Sequence, residues 1–223
     1  MTDKDYVARL ENVIKQMLTP LKGIPFNLVI ESMTGKKVIS FDFKNSEHNE
    51  ILRLLKQAAI ASGKEINKAG ISRPRPNEVG NDIEPFIKKA LNFLNLNADV
   101  PAGPSGNKMS TGYPDIIFWF NKKPYYLECK TYNIENIATT QRSFYFSPSD
   151  EFKVIHDAPH FLMSFEIYVA GESGRNHIYK CKHYKILSLE SLSLDVKYEF
   201  NSDNKRMYSG ESGTIVLDEG KIG

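Results

Sequence analysis

The run GYPDIIFWFNKKPYYLECKTYN, residues 112–133, constrains the fold more than any other part of the chain. Two β-rich, largely apolar segments, PDIIFWF and PYYLECK, flank the turn at Asn121-Lys122-Lys123 and read as a buried β-hairpin. That hairpin nevertheless carries Asp115, Glu128 and Lys130. Residues i and i+2 of a strand share a face, which sets Glu128 and Lys130 together and turns Cys129 away. A two-residue loop places Asp115 opposite Glu128; a four-residue loop places it opposite Lys130, with Glu128 on the diagonal. Either even register gathers all three side chains on one face, with opposed Cβ atoms about 5 Å apart, whereas an odd loop scatters them.

The remaining segments surround this hairpin with helical and strand patterns. Residues 3–18 repeat apolar positions at helical spacing (Tyr6, Leu10, Ile14, Leu18). FNLVIESMTGKKVISFDF has two β-rich runs around Thr34-Gly35 and reads as a second hairpin. SEHNEILRLLKQAAIAS follows as an amphipathic helix with Ser46 as N-cap, which makes residues 1–65 an αββα subregion. Residues 64–77 contain two prolines and little periodicity and read as a connector. EVGNDIEPFIKKALNFLNLN is a helix with Val79, Ile83, Phe86, Ile87, Ala90 and Leu94 on one stripe. The Gly- and Ser-rich loop DVPAGPSGNKMSTG leads into the 112–133 hairpin, HFLMSFEIYVA and NHIYKCKHYKIL read as strands, and the tail suggests further short ones. The expected fold class is α/β, a central mixed sheet flanked by helices in one domain spanning residues 1–223.

Composition excludes several classes. With 41% hydrophobic and 25% charged residues the chain is neither disordered nor collagen-like, and 223 residues suffice for a sizeable core. No apolar run approaches the roughly 18 residues of a membrane span, and the N-terminus lacks a secretory signal, so the expectation is a cytoplasmic protein without a membrane partner. Cys129 and Cys181 fit neither a disulfide framework nor a zinc spacing. His156 and His160 have i, i+4 spacing but Pro159 between them and no third ligand, which argues against zinc. Neither GESGRN nor GESGT fits a phosphate-cradling loop.

An Asp/Glu-x-Lys triplet means little alone, since the chain has six of them, so the hairpin context must select one. Glu31 and Asp42, in the best competing hairpin, would lie roughly 13 Å apart along the strands at about 3.3 Å per residue, too far to share an ion. In the 112–133 hairpin the two facing carboxylates repel each other unless a cation lies between them. Oxygen ligands without His or Cys on that face favour Mg²⁺ as cofactor, held by Asp115 and Glu128. Lys130 beside them can orient or deprotonate a water and stabilise charge developing on phosphorus, which points to phosphodiester hydrolysis.

Pro114-Asp115, a spacer of 12 residues and Glu128-Cys129-Lys130 together resemble the PD-(D/E)XK nucleases. The stretch from Arg73 to Tyr208 resembles Type II restriction endonucleases, which implies a restriction-endonuclease-like catalytic core over 73–208 and Mg²⁺-dependent cleavage of double-stranded DNA. The resemblance also implies a further acid from the helix before the hairpin. Glu84 and Glu78 are joint candidates, with Asp82 behind them, because the two flank the apolar stripe equally and periodicity does not choose. A palindromic target would match a two-fold homodimer. For DNA contact the candidates are Asn107 and Lys108 in the loop before the hairpin and Gln141 and Arg142 after it, while Arg73 and Arg75 read as solvated connector residues. Two other readings are a repair or junction-resolving nuclease on the same core, and a non-catalytic DNA-binding protein in which Glu128 and Lys130 form a salt bridge.

Overall fold

A computed structural model describes residues 3–19, 21–138 and 143–197. The chain divides into two compact units, one of residues 24–193 and one of residues 1–23 with 194–223. In the smaller unit α1 (Asp3–Leu18) forms as its periodicity requires, and Tyr6, Leu10, Ile14 and Leu18 are all exposed.

The larger unit begins with a short strand, β1 (Ile24–Pro25), and then departs from the expected second hairpin. Phe26–Thr34 is a helix, α2, in which Phe26 and Ile30, one turn apart, are buried. Gly35 closes it in the left-handed conformation (φ 67°), donating its N–H to the Glu31 carbonyl. The Thr34-Gly35 pair is thus a helix cap and not a hairpin turn. The run after it crosses to another part of the chain: Val38 bridges Ala158, and the Ile39 N–H donates to the Ala158 carbonyl. Tertiary burial of the Phe26/Ile30 stripe overrode β propensity, and the αββα description of residues 1–65 is corrected accordingly.

Helix α3 (Ser46–Ala69) buries Ile51, Leu54, Leu55, Ala58, Ala59 and Ile66 along one stripe. Its cap is Asn45, one residue before the expected Ser46, whose side chain accepts from the Glu47 and His48 N–H groups. The helix runs on through residues 64–69, which had read as connector, and ends at Gly70 (φ 68°). β2 (Ile71–Arg73), a single 3₁₀ turn (Pro76–Glu78) and α4 (Gly80–Phe93) follow. Val79, Ile83, Ile87, Ala90 and Leu91 are buried, so the expected apolar stripe holds, shifted slightly toward Leu91.

Strands β3 (Ile116–Phe120), β4 (Lys123–Tyr132), β5 (His160–Ser173) and β6 (Asn176–Ser188) complete a five-stranded sheet in the order β2-β6-β5-β4-β3. Another short strand, β7 (Ser193–Leu194), comes after β6. The sheet is mixed: β4 and β5 run parallel, and the other pairs are antiparallel. Ile116, Phe118, Leu127, Cys129, Met163 and Phe165 join Leu55 and Ala59 of α3 and Ile83 and Ile87 of α4 in one apolar core. Burying each large aliphatic or aromatic side chain there contributes about 1.5–3 kcal/mol. The α/β class with a mixed, helix-flanked sheet stands as expected. Phe144 and Phe146 lie in an irregular segment and pack edge-on to Phe26.

Candidate active site

The β3–β4 register settles the loop length. Ile116 pairs with Leu127 and Phe120 with Lys123, leaving the two-residue turn Asn121-Lys122, both residues at positive φ as a type I′ turn requires. One step beyond Ile116↔Leu127, Asp115 falls opposite Glu128. The Asp115 Oδ2 accepts the Cys129 N–H at 2.7 Å, which fixes the carboxylate against the edge of β4.

Glu128 is buried, and its Oε1 lies 2.6 Å from Lys130 Nζ. Its Oε2 is buried without a hydrogen-bond partner. Burial, with the Asp115 charge adding to it, pushes the Glu128 carboxyl up to about 7, against the opposing pull of Lys130. For Lys130, burial works against the ammonium, but the charge and hydrogen bond of Glu128 outweigh it and the net shift is upward.

A cleft of about 530 Å³ opens at this end of the hairpin, lined by Asp115, Lys130, Tyr132 and Glu84, among others. Burial, and then the Asp115 charge, raises the Glu84 carboxyl, which places Glu84 within electrostatic reach of the hairpin acids. Pro85 cannot donate to the carbonyl of Asn81, which also lines the cleft. The other two helix acids are taken up elsewhere: Glu78 accepts from Arg75 at 2.6 Å, and Asp82 accepts both a 2.6 Å bond from Arg73 Nε and another from its Nη2. The two arginines that read as solvated connector residues are therefore ion-paired at the surface.

A residue that the sequence did not single out joins this group. Lys153 is 1% exposed, donates from Nζ to the Met109 carbonyl at 3.2 Å, and feels the charges of Asp115, Glu128 and Glu84. Burial nevertheless moves its ammonium downward. Lys153 belongs to one of the competing Asp/Glu-x-Lys triplets; its only sequence sign is a lysine between the apolar Phe152 and Val154, both buried.

Of the proposed DNA contacts, Asn107 and Lys108 lie on the exposed loop before the hairpin, and Lys108 forms an ion pair with Asp99. Gln141 and Arg142 lie outside the described residues. His156 packs edge-on against Trp119, while the ring of His160 is buried and hydrogen-bonded through Nδ1 to the Tyr113 hydroxyl at 2.6 Å. Burial lowers His160 to about 3, so its ring is neutral.

The donor set suits a divalent cation. Glu128 offers a desolvated, unpartnered oxygen beside a second fixed carboxylate, an arrangement that a cation relieves. Among the described residues no group of three or more His, Cys, Asp or Glu side chains converges on one point. Two carboxylates suit Mg²⁺, which keeps several waters and binds few protein oxygens.

Residues 20–211 match the model of a family described as the Type II restriction enzyme MjaV family. The chain is 36% identical over 224 residues to the Type II restriction enzyme MjaV of Methanocaldococcus jannaschii, covering 93% of this chain and 95% of that protein. No solved structure matches the chain.

Proposed function

The chain belongs to the Type II restriction enzyme MjaV family and is a site-specific deoxyribonuclease acting on DNA, and we propose that it cuts both strands of its target with Asp115, Glu128 and Lys130 as the catalytic group. The single observation that carries this assignment is the unpartnered Oε2 of buried Glu128, which falls opposite Asp115 in the register and within ion-pair distance of Lys130. Asp115 and Glu128 would hold Mg²⁺, which supplies charge neutralisation at the scissile phosphate.

Within the protein, the Cys129 N–H keeps Asp115 in place. Lys130, charged because Glu128 sustains its proton, orients the attacking water and stabilises negative charge on phosphorus. Glu84 is the third acid of the site, favoured over Glu78 and Asp82 because it lines the cleft while they are bound by arginines. Lys153 balances the surplus negative charge from the buried side. The enzyme acts in the cytoplasm as a homodimer whose two-fold axis matches a palindromic site, each copy cutting one strand. No helix among the described residues is long and apolar enough to cross a membrane.

Digesting a plasmid of known sequence with Mg²⁺ and sequencing the ends tests the assignment. Discrete fragments are expected from the wild type and none from Asp115→Ala or Lys130→Ala, both variants still binding DNA. A smear, or undiminished cutting by both variants, would sink the mechanism and leave the Glu128–Lys130 ion pair a purely structural contact.

A further inference from the structure

Strand β6 carries Lys180, Lys182, Lys185 and two histidines over residues 176–188 and no acidic residue, in a chain whose formal net charge is only +2. Its register shows where part of that charge points. Lys130 pairs with Ser164 and Ser164 with Lys185, so the three occupy one row across β4, β5 and β6. Tyr132, Glu166 and His183 form the next row, and Lys180 pairs with Tyr168 beyond it. Phe165, Ile167 and Cys181 belong to the apolar core, so alternation puts Ser164, Glu166, Tyr168, Lys180, His183 and Lys185 on the opposite face, the one that bears Lys130.

The side chains agree with the register. The Lys185 ammonium lies 5.0 Å from the centre of the Tyr132 ring, two residues past Lys130. Lys185 and His183 are exposed, and Tyr168 is 45% exposed. Glu166, in the neighbouring row, is 9% exposed and engaged by His183 Nδ1 at 3.2 Å, so it is buried while Lys185 is exposed and Lys180 half-buried. Two inter-strand steps separate Lys130 from Lys185, about 10 Å, or roughly three base-pair rises of duplex DNA at about 3.4 Å each.

We propose that Lys185 and Lys180 form a phosphate-binding track for double-stranded DNA, continuous with the catalytic row at Lys130 and extending along the open sheet face away from the cut. The inference rests on the nuclease reading above, to which it adds the path of the duplex. Contacts of this kind position the backbone without reading bases, so they act on affinity for any sequence. Ser164, between the two lysines, leaves the row without a bulky side chain where the backbone would pass.

The test uses the full chain with Mg²⁺ withheld so that DNA is bound and not cut. Affinity for a mixed-sequence duplex is measured between about 50 and 200 mM salt for wild type, Lys180→Gln/Lys185→Gln and Lys56→Gln, the last an exposed lysine on α3, which packs on the other face of the sheet. The double variant should bind at least tenfold more weakly near 0.1 M salt, and its slope of log affinity against log salt should fall by about two, while Lys56→Gln should stay near wild type. Wild-type affinity and slope in the double variant would overturn the track, and discrete plasmid cleavage by the wild type would leave the nuclease reading standing. Weakened binding in the double variant together with no discrete cleavage by the wild type would support the track and overturn the nuclease reading.

Discussion

On the helix side of the β3–β4 hairpin, Ile116, Phe118, Leu127 and Cys129 pack into one apolar core with α3 and α4. One residue along the same strands, the other side carries Asp115, Glu128 and Lys130, with Tyr126 completely buried beside them. Both faces bury side chains, but they use the exclusion of water differently. On the first, exclusion of water stabilises the fold through apolar burial. On the second it leaves a carboxyl raised to about 7 and an unpartnered oxygen, a destabilising arrangement.

That contrast can be broken in order of expected effect. Phe118→Ala should destabilise the protein by about 3–5 kcal/mol, read from the urea midpoint, because it opens a cavity in the core; a loss below about 1 kcal/mol would mean that this face is not the packed one. Glu128 should give the metal-free protein an unusual pH profile. Its folded carboxyl sits at about 7 against an ordinary 4.5, so between those values the folded state retains a proton that the unfolded chain has lost. Stability should therefore fall as pH rises from about 4.5 through about 7, by on the order of 2–3 kcal/mol, and Glu128→Gln should flatten that slope. An identical slope in the variant would show that the carboxyl is not desolvated.

Within the charged face, Glu84→Gln should slow cleavage by about tenfold or more with stability little changed, and Glu78→Gln should stay within about twofold of wild type. The reverse ranking would move the third acid of the site to the 3₁₀ turn. The smallest effect belongs to the turn that sets both faces. Lys122→Gly should add about 0.5 kcal/mol by relieving a lysine at φ 64° while preserving the two-residue loop, with cleavage unaltered. A destabilised Lys122→Gly variant would argue against the type I′ geometry.

Much of this site was legible because strand parity is local. Once Asn121-Lys122 is a two-residue turn, period-two alternation alone brings Asp115, Glu128 and Lys130 together. The same style of reading failed at FNLVIESMT, where β-branched residues suggested a strand while Phe26 and Ile30 had an apolar site to fill one helical turn apart. It also ended α3 too early, because residues 64–69 hold the helix mainly through Ile66, a single buried position.

The sequence by itself determined the hairpin, its two unlike faces, the α3 and α4 apolar stripes and the placement of two acids with a lysine on one face, since each follows from periodicities within one segment. Only the tertiary structure decided that Glu84 and not Glu78 lines the cleft, that Lys153 is brought from 38 positions beyond Asp115 into reach of the acids, and that Lys185 shares a row with Lys130. These are relations between segments joined by loops, and their positions are fixed by core packing and strand order, which no local periodicity encodes.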